Sequence, residues 1–134
     1  MDWHLTLSLL DGEFAICRLA ASDPLPAWLA SGSFLSVTRT AAELSVVCRR
    51  ELPPPGTRME AGWCCLRVEG PFPLETTVGV LAALAVPLAE ASVSIFVVST
   101  YDTDHLLVPQ AQLARASEAL TTNGHIVRHD AVQC

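Results

Sequence analysis

The feature that most constrains this chain is the changing rhythm of apolar residues along its second half. Cys64, Leu66 and Val68 alternate with Cys65, Arg67 and Glu69, the two-residue period of a half-buried strand. Gly70-Pro71-Phe72-Pro73 ends that run in a turn. From Leu74 the spacing lengthens: Leu74, Val78, Leu81, Ala85 and Leu88 fall three or four apart on one helical face, and Pro87 is expected to end or kink the helix. Ile95-Phe96-Val97-Val98 is unbroken, as in a strand covered on both faces. The polar stretch Ser99 to Asp104 then connects to a strand at His105-Leu106-Leu107-Val108. Pro109 opens a second helix striped by Leu113, Ala116 and Leu120, Asn123-Gly124 stops it, and His125 to Asp130 forms a last strand.

The resulting order, β-α-β-β-α-β, predicts an α+β fold: a ferredoxin-like antiparallel sheet with both helices on one face. The first half echoes it. Strands are expected at Leu5 to Leu9, Glu13 to Leu19, Phe34 to Thr38 and Leu44 to Cys48, with a short helix between Pro24 and Ser31. Val37 to Glu43 matches Val98 to Asp104 type by type, which predicts an internal repeat with a shortened first copy. Pro53-Pro54-Pro55-Gly56 reads as a stiff linker, giving expected modules at residues 1–59 and 60–134.

Eight Lys plus Arg against fourteen Asp plus Glu leave a net charge of −6, unsuited to a phosphate backbone or an anionic membrane surface. The start Met1-Asp2-Trp3-His4 is no export signal, and the apolar stretch Leu74 to Ala89 carries Glu75 and Pro87, so a membrane span is not expected and the cytoplasm is. Five cysteines without a CxxC pair suggest reduced thiols rather than a disulfide framework. His125 and His129 lie too far apart along one strand to converge on a metal, and no nucleophile elbow or phosphate loop occurs. Neither a cofactor nor catalysis is therefore expected.

The run Ser94 to Pro109, together with Val68-Glu69-Gly70 through Leu84, resembles the small bacterial tandem ACT-domain proteins and is similar to the closing ACT repeat of the eukaryotic cytosolic arginine sensor. Ser36 to Thr40 and Glu43 to Cys48 look like the first module of the bacterial proteins. The resemblance implies an ACT βαββαβ module preceded by a shortened ACT-like one, binding an amino acid or similar effector and pairing into homodimers. In the similar sensor repeat the ligand lies against the first helix and the strand connection. Carried over position by position, that implies a site at Glu75, Gly79, Val80, Thr100, Tyr101 and Asp104.

Those residue types suit the chemistry. A free amino acid presents a carboxylate, which a helix N-terminus can hold through its unpaired N–H groups, and an ammonium, which Asp104 or Glu75 can accept. Gly79 permits close approach to backbone, and Tyr101 can cover an apolar portion. The expectation is a sensor or regulatory protein that signals to itself or to a protein partner. The competing expectation is an interaction module of the same fold without a ligand.

Overall fold

The computed structural model describes residues 3–74, 78–130 and 132–134. Among them the strands are β1 (Thr6–Leu9), β2 (Phe14–Leu19), β3 (Ser36–Arg39), β4 (Leu44–Arg49), β5 (Met59–Val68), β6 (Phe96–Ser99), β7 (Asp104–Pro109) and β8 (Ile126–Arg128). The α-helices are α1 (Val80–Glu90) and α2 (Leu113–Thr122), with single 3-10 turns at Ala27–Ser31 and Gln110–Gln112. Contacts divide the chain into two units, Met1–Asp11 with Cys64–Cys134, and Gly12–Trp63.

In the larger unit the strand order is β6-β7-β5-β1-β8. β1 runs antiparallel to β5, with Leu7 opposite Val68 and Leu9 opposite Leu66, and parallel to β8, with Thr6 opposite Ile126. This pairing explains why the unit boundaries differ from the expected 1–59 and 60–134. β1 sends Leu7 and Leu9 into the same core as Leu66, Leu84, Leu106 and Leu120, so it belongs with the later residues. α1 and α2 both contribute to that core and pack on each other, as the split-sheet order requires. β6 pairs only with β7 among the described strands. Its Phe96, Val97 and Val98 are consequently half-buried rather than covered on both faces.

Helix α1 departs from expectation in both start and phase. It begins at Val80, and its buried side chains are Val80, Leu84, Pro87 and Leu88, whereas Leu74 and Val78 precede it and are 65% and 68% exposed. Nearly every residue from Val80 to Ala89 is apolar, so periodicity carries little information about which face is buried. Nor does Pro87 end the helix, which continues to Glu90. A proline leaves the carbonyl four residues earlier without its helical donor. That carbonyl, on Ala83, lies 3.1 Å from the imidazole Nε2 of buried His125. The other ring nitrogen, Nδ1, accepts the Leu5 backbone N–H at 3.1 Å, so Nε2 carries the proton and donates to Ala83.

The five cysteines are not all thiols. Cys64 on β5 and Cys134 form a disulfide across 70 residues with Cα atoms 5.4 Å apart, while Cys17, Cys48 and Cys65 are free and buried. An odd count without close spacing contains no pairing information, whereas the fold of the C-terminal segment brings these two side chains together.

In the smaller unit the strand order is β3-β4-β2-β5, with Ala15, Cys17, Leu29, Val46 and Cys48 at its core. The two hairpins share a turn. The Thr40 N–H donates to the Glu43 carbonyl at 2.9 Å, and the Thr100 N–H donates to the Thr103 carbonyl at 2.8 Å. Each threonine hydroxyl also donates to the same carbonyl as its own N–H. The correspondence is therefore Thr40 with Thr100, one residue out of step with the expected alignment of Val37 and Val98. Strand order β3-β4-β2 likewise corresponds to β6-β7-β5, and the smaller unit replaces α1 with a single 3-10 turn.

Candidate functional site

The end of β6, the start of β7 and the start of α1 enclose a cleft of ≈ 420 Å³. Gly79, Val80, Leu81 and Ala82 line one side, Ser99 to Asp104 another, and Phe72, Pro73 and Leu74 a third. Local bonds fix this arrangement. The Phe72 N–H donates to the Asp102 carbonyl at 2.8 Å, and the buried Thr103 hydroxyl donates to the Val68 carbonyl at 2.6 Å. The strand connection is thereby tied to the end of β5 and to the segment leading toward α1.

Gly79 is the N-cap of α1 and has φ +82°, a conformation that a side chain would strain. It makes no side-chain capping bond, and no acidic residue occupies the first turn. The first intrahelical bond at this end runs from the Ala83 N–H to the Gly79 carbonyl at 2.9 Å. Helix geometry thus leaves the N–H groups of Val80, Leu81 and Ala82 without an intrahelical acceptor beside the cleft. Asp104, which lines the same cleft, accepts the Ser99 hydroxyl on Oδ1 at 2.5 Å.

Five of the expected site residues, Gly79, Val80, Thr100, Tyr101 and Asp104, line this cleft. Glu75 lies outside the described residues. The five differ in what they offer. Val80 is buried and belongs to the core as much as to the cleft, and the Thr100 hydroxyl accepts the Thr103 N–H at 3.3 Å as part of its turn. Tyr101 is 81% exposed at the rim. Ser99, Asp102 and the aromatic wall at Phe72 line the cleft beyond the expected ligand set. Their signal was weak, since a phenylalanine between two prolines reads as turn chemistry.

Burial pushes the Cys65 thiol up to about 12, and burial followed by the charge of Cys17 does the same to Cys48, so neither supplies a thiolate nucleophile near neutrality. His105 on β7 is buried, and its pKa is lowered from 6.5 first by that burial and then by the positive charge of Arg67, against smaller upward effects from the Val98 backbone and Asp104. The sign follows: a lowered folded value means that the neutral ring's contribution to stability is fully present above 6.5 and is lost as pH falls from there toward the folded value. Urea unfolding between about pH 7.5 and about pH 5.5 should show a shallower loss in His105→Gln than in wild type. Equal slopes would contradict this assignment.

A sheet backed by two helices is an ACT-like α+β fold, and the ACT-domain family model matches residues 58–122. A second model, of an N-terminal domain, matches residues 12–54. The chain as a whole belongs to the family of Atu0741 from Agobacterium tumefaciens, with 38% identity over 98% of each chain and a TM-score of 0.90. The fold is also that of VC0802 from Vibrio cholerae, a protein of unknown function, with 22% identity, 90% of each chain covered and a TM-score of 0.73. The regulatory subunit of aspartate kinase from Thermus thermophilus shares the fold at 12% identity, over 87% of this chain and 96% of that one, with a TM-score of 0.61. No curated protein sequence matches the chain. Among the described residues no helix is long and apolar enough to cross a membrane.

Proposed function

We propose that this protein is a regulatory ACT-type binding protein rather than an enzyme, and that its effector is a free amino acid held in the cleft between α1 and the Ser99–Asp104 connection. The observation that carries the proposal is the first turn of α1, to which no described side chain makes a capping bond, sharing one cleft with the Asp104 carboxylate. The open N–H groups suit the effector's carboxylate, Asp104 suits its ammonium, and Tyr101 and Leu81 suit an apolar portion. The cleft volume lies within the usual range for small-molecule sites, roughly 300–1,000 Å³. Aspartate kinase regulatory subunits lend the reading support through their fold and their regulatory role.

A homodimer, a regulated protein partner and a cytoplasmic location belong to the same proposal. The edge strand β6 and the exposed Val86 on α1 favour association between copies. A ligand-free interaction module is the second reading, favoured by the Asp104–Ser99 bond, which already uses one carboxylate oxygen.

A thermal-shift screen against the twenty common amino acids, arginine included, separates these readings. A ligand that binds only the folded protein raises its melting temperature, by about 2.7 kcal/mol of added stability at a hundredfold excess over Kd. The proposed reading expects a positive shift that Asp104→Ala abolishes. Flat responses throughout the millimolar range would leave the interaction module as the better description.

A further inference from the structure

The cleft borrows part of its support from a segment distant in sequence. The indole Nε1–H of Trp3 donates to the Val78 carbonyl at 2.7 Å, and the ring stacks edge-on against Phe72 with centroids 6.1 Å apart. Phe72 lines the cleft, and Val78 immediately precedes the N-cap Gly79. A side-chain carbon added at Gly79 would come within 3.7 Å of the same indole nitrogen. Trp3 therefore touches two of the three segments that shape the cleft. Its own position is held from behind: the His4 ring nitrogen Nδ1 lies 3.2 Å from the Gly124 carbonyl, and the Leu5 N–H donates to His125.

We propose that Trp3 is a positioning residue for the cleft, its indole N–H fixing the Val78–Gly79 peptide and with it the first turn of α1 opposite the Ser99–Asp104 connection. The proposal rests on the reading of this cleft as the effector site. Its physical basis is local. Gly79 at positive φ supplies no side-chain restraint of its own, and among the described residues no side chain caps the start of α1. An external donor on the preceding carbonyl compensates. Residues 3–5 then act as a strap running from the start of α1 to the junction of α2 and β8.

Trp3→Phe isolates the claim, because phenylalanine keeps a ring against Phe72 and lacks the N–H. Amide hydrogen exchange on the full chain provides a readout that needs no ligand. The Ala83 amide, whose bond to the Gly79 carbonyl closes the first turn, should exchange about fivefold faster in Trp3→Phe, an effect of the size of one hydrogen bond. The Leu7 and Leu106 amides in the core should be unchanged. Trp3→Ala should extend the change to the Phe72 amide. Unaltered exchange at Ala83, or the same acceleration throughout the molecule, would overturn the proposal.

A second arm uses the twenty amino acids as probes. Any amino acid that stabilises wild type should bind Trp3→Phe several-fold more weakly while the ligand-free melting temperature stays within about 3 °C of wild type, the scale of a change below 1 kcal/mol. Equal affinity would overturn Trp3's role at the site. If no amino acid stabilises wild type, the effector reading fails, and the exchange of Ala83 alone decides whether Trp3 positions the helix start.

Discussion

Cys134→Ser is expected to lower the melting temperature by roughly 10–15 °C, the same change that reduction of the wild-type protein produces. The disulfide joins Cys64 and Cys134 across 70 residues within one unit of the fold. On the chain-entropy account, tying together points so far apart in the unfolded chain stabilises the native state by about 4 kcal/mol. Typical unfolding entropies for a chain of this length convert that figure to the stated temperature shift. Scanning calorimetry of the oxidised protein, the same protein with phosphine reductant, and Cys134→Ser should give one high transition and two coincident low ones. The three remaining cysteines are free thiols, so reductant has no other disulfide to act on among the described residues. A single transition temperature in all three samples would show that the bond adds no stability. In a reducing compartment the lower value is the one that applies.

The second large effect lies where a proline and a histidine meet. His125→Phe should cost about 3 kcal/mol in urea unfolding, because it leaves both the Ala83 carbonyl and the Leu5 N–H without their side-chain partner, at roughly 1–3 kcal/mol each. Pro87→Ala should soften that loss, since alanine supplies the N–H that the Ala83 carbonyl lacks in the native helix. The expected outcome is a coupling of about 1 kcal/mol between the two sites in a double-mutant cycle. Additive effects would mean that His125 does not stand in for the missing helical donor. The pairing also explains how a proline is accommodated within α1: the interruption is filled from the start of β8, by a buried ring that already holds β1.

Much of this architecture can be read from the amino acids, and the failures have identifiable causes. The β5-α1-β6-β7-α2-β8 order follows from changes of period that survive without any structure, as does the hairpin repeat. Phase was harder. α1 is apolar nearly all round, so although Leu88 is buried as expected, the rest of its buried face, Val80, Leu84 and Pro87, differs from the face drawn through Leu74, Val78 and Leu81. The repeat was displaced by one residue because residue types around Thr40 and Thr100 are similar enough to match in either register, and only the turn hydrogen bonds choose between them. β1 pairs with β5 and β8 rather than within the first module, because alternation identifies a strand without naming its partners.

Gly79, Thr100, Tyr101 and Asp104, implied by the resemblance to an ACT repeat rather than by any local pattern, line the cleft. It was not legible at Trp3 or Phe72. Their contribution comes from contacts between residues distant in sequence, such as the bond from Trp3 to Val78, which no local pattern encodes. Thr100 illustrates the converse. A hydroxyl at a suggestive position proves to be bonded within its own turn. What remains available to an effector is the backbone start of α1, together with the Asp104 carboxylate.

The most direct test of the account is a backbone-amide NMR titration of the labelled protein with the amino acid that stabilises it most. The proposed site predicts the largest shifts at Val80, Leu81 and Ala82, whose N–H groups would meet the effector's carboxylate, with companion shifts from Ser99 to Asp104. Shifts centred instead in Gly12–Trp63, or none at saturating millimolar amino acid, would contradict it.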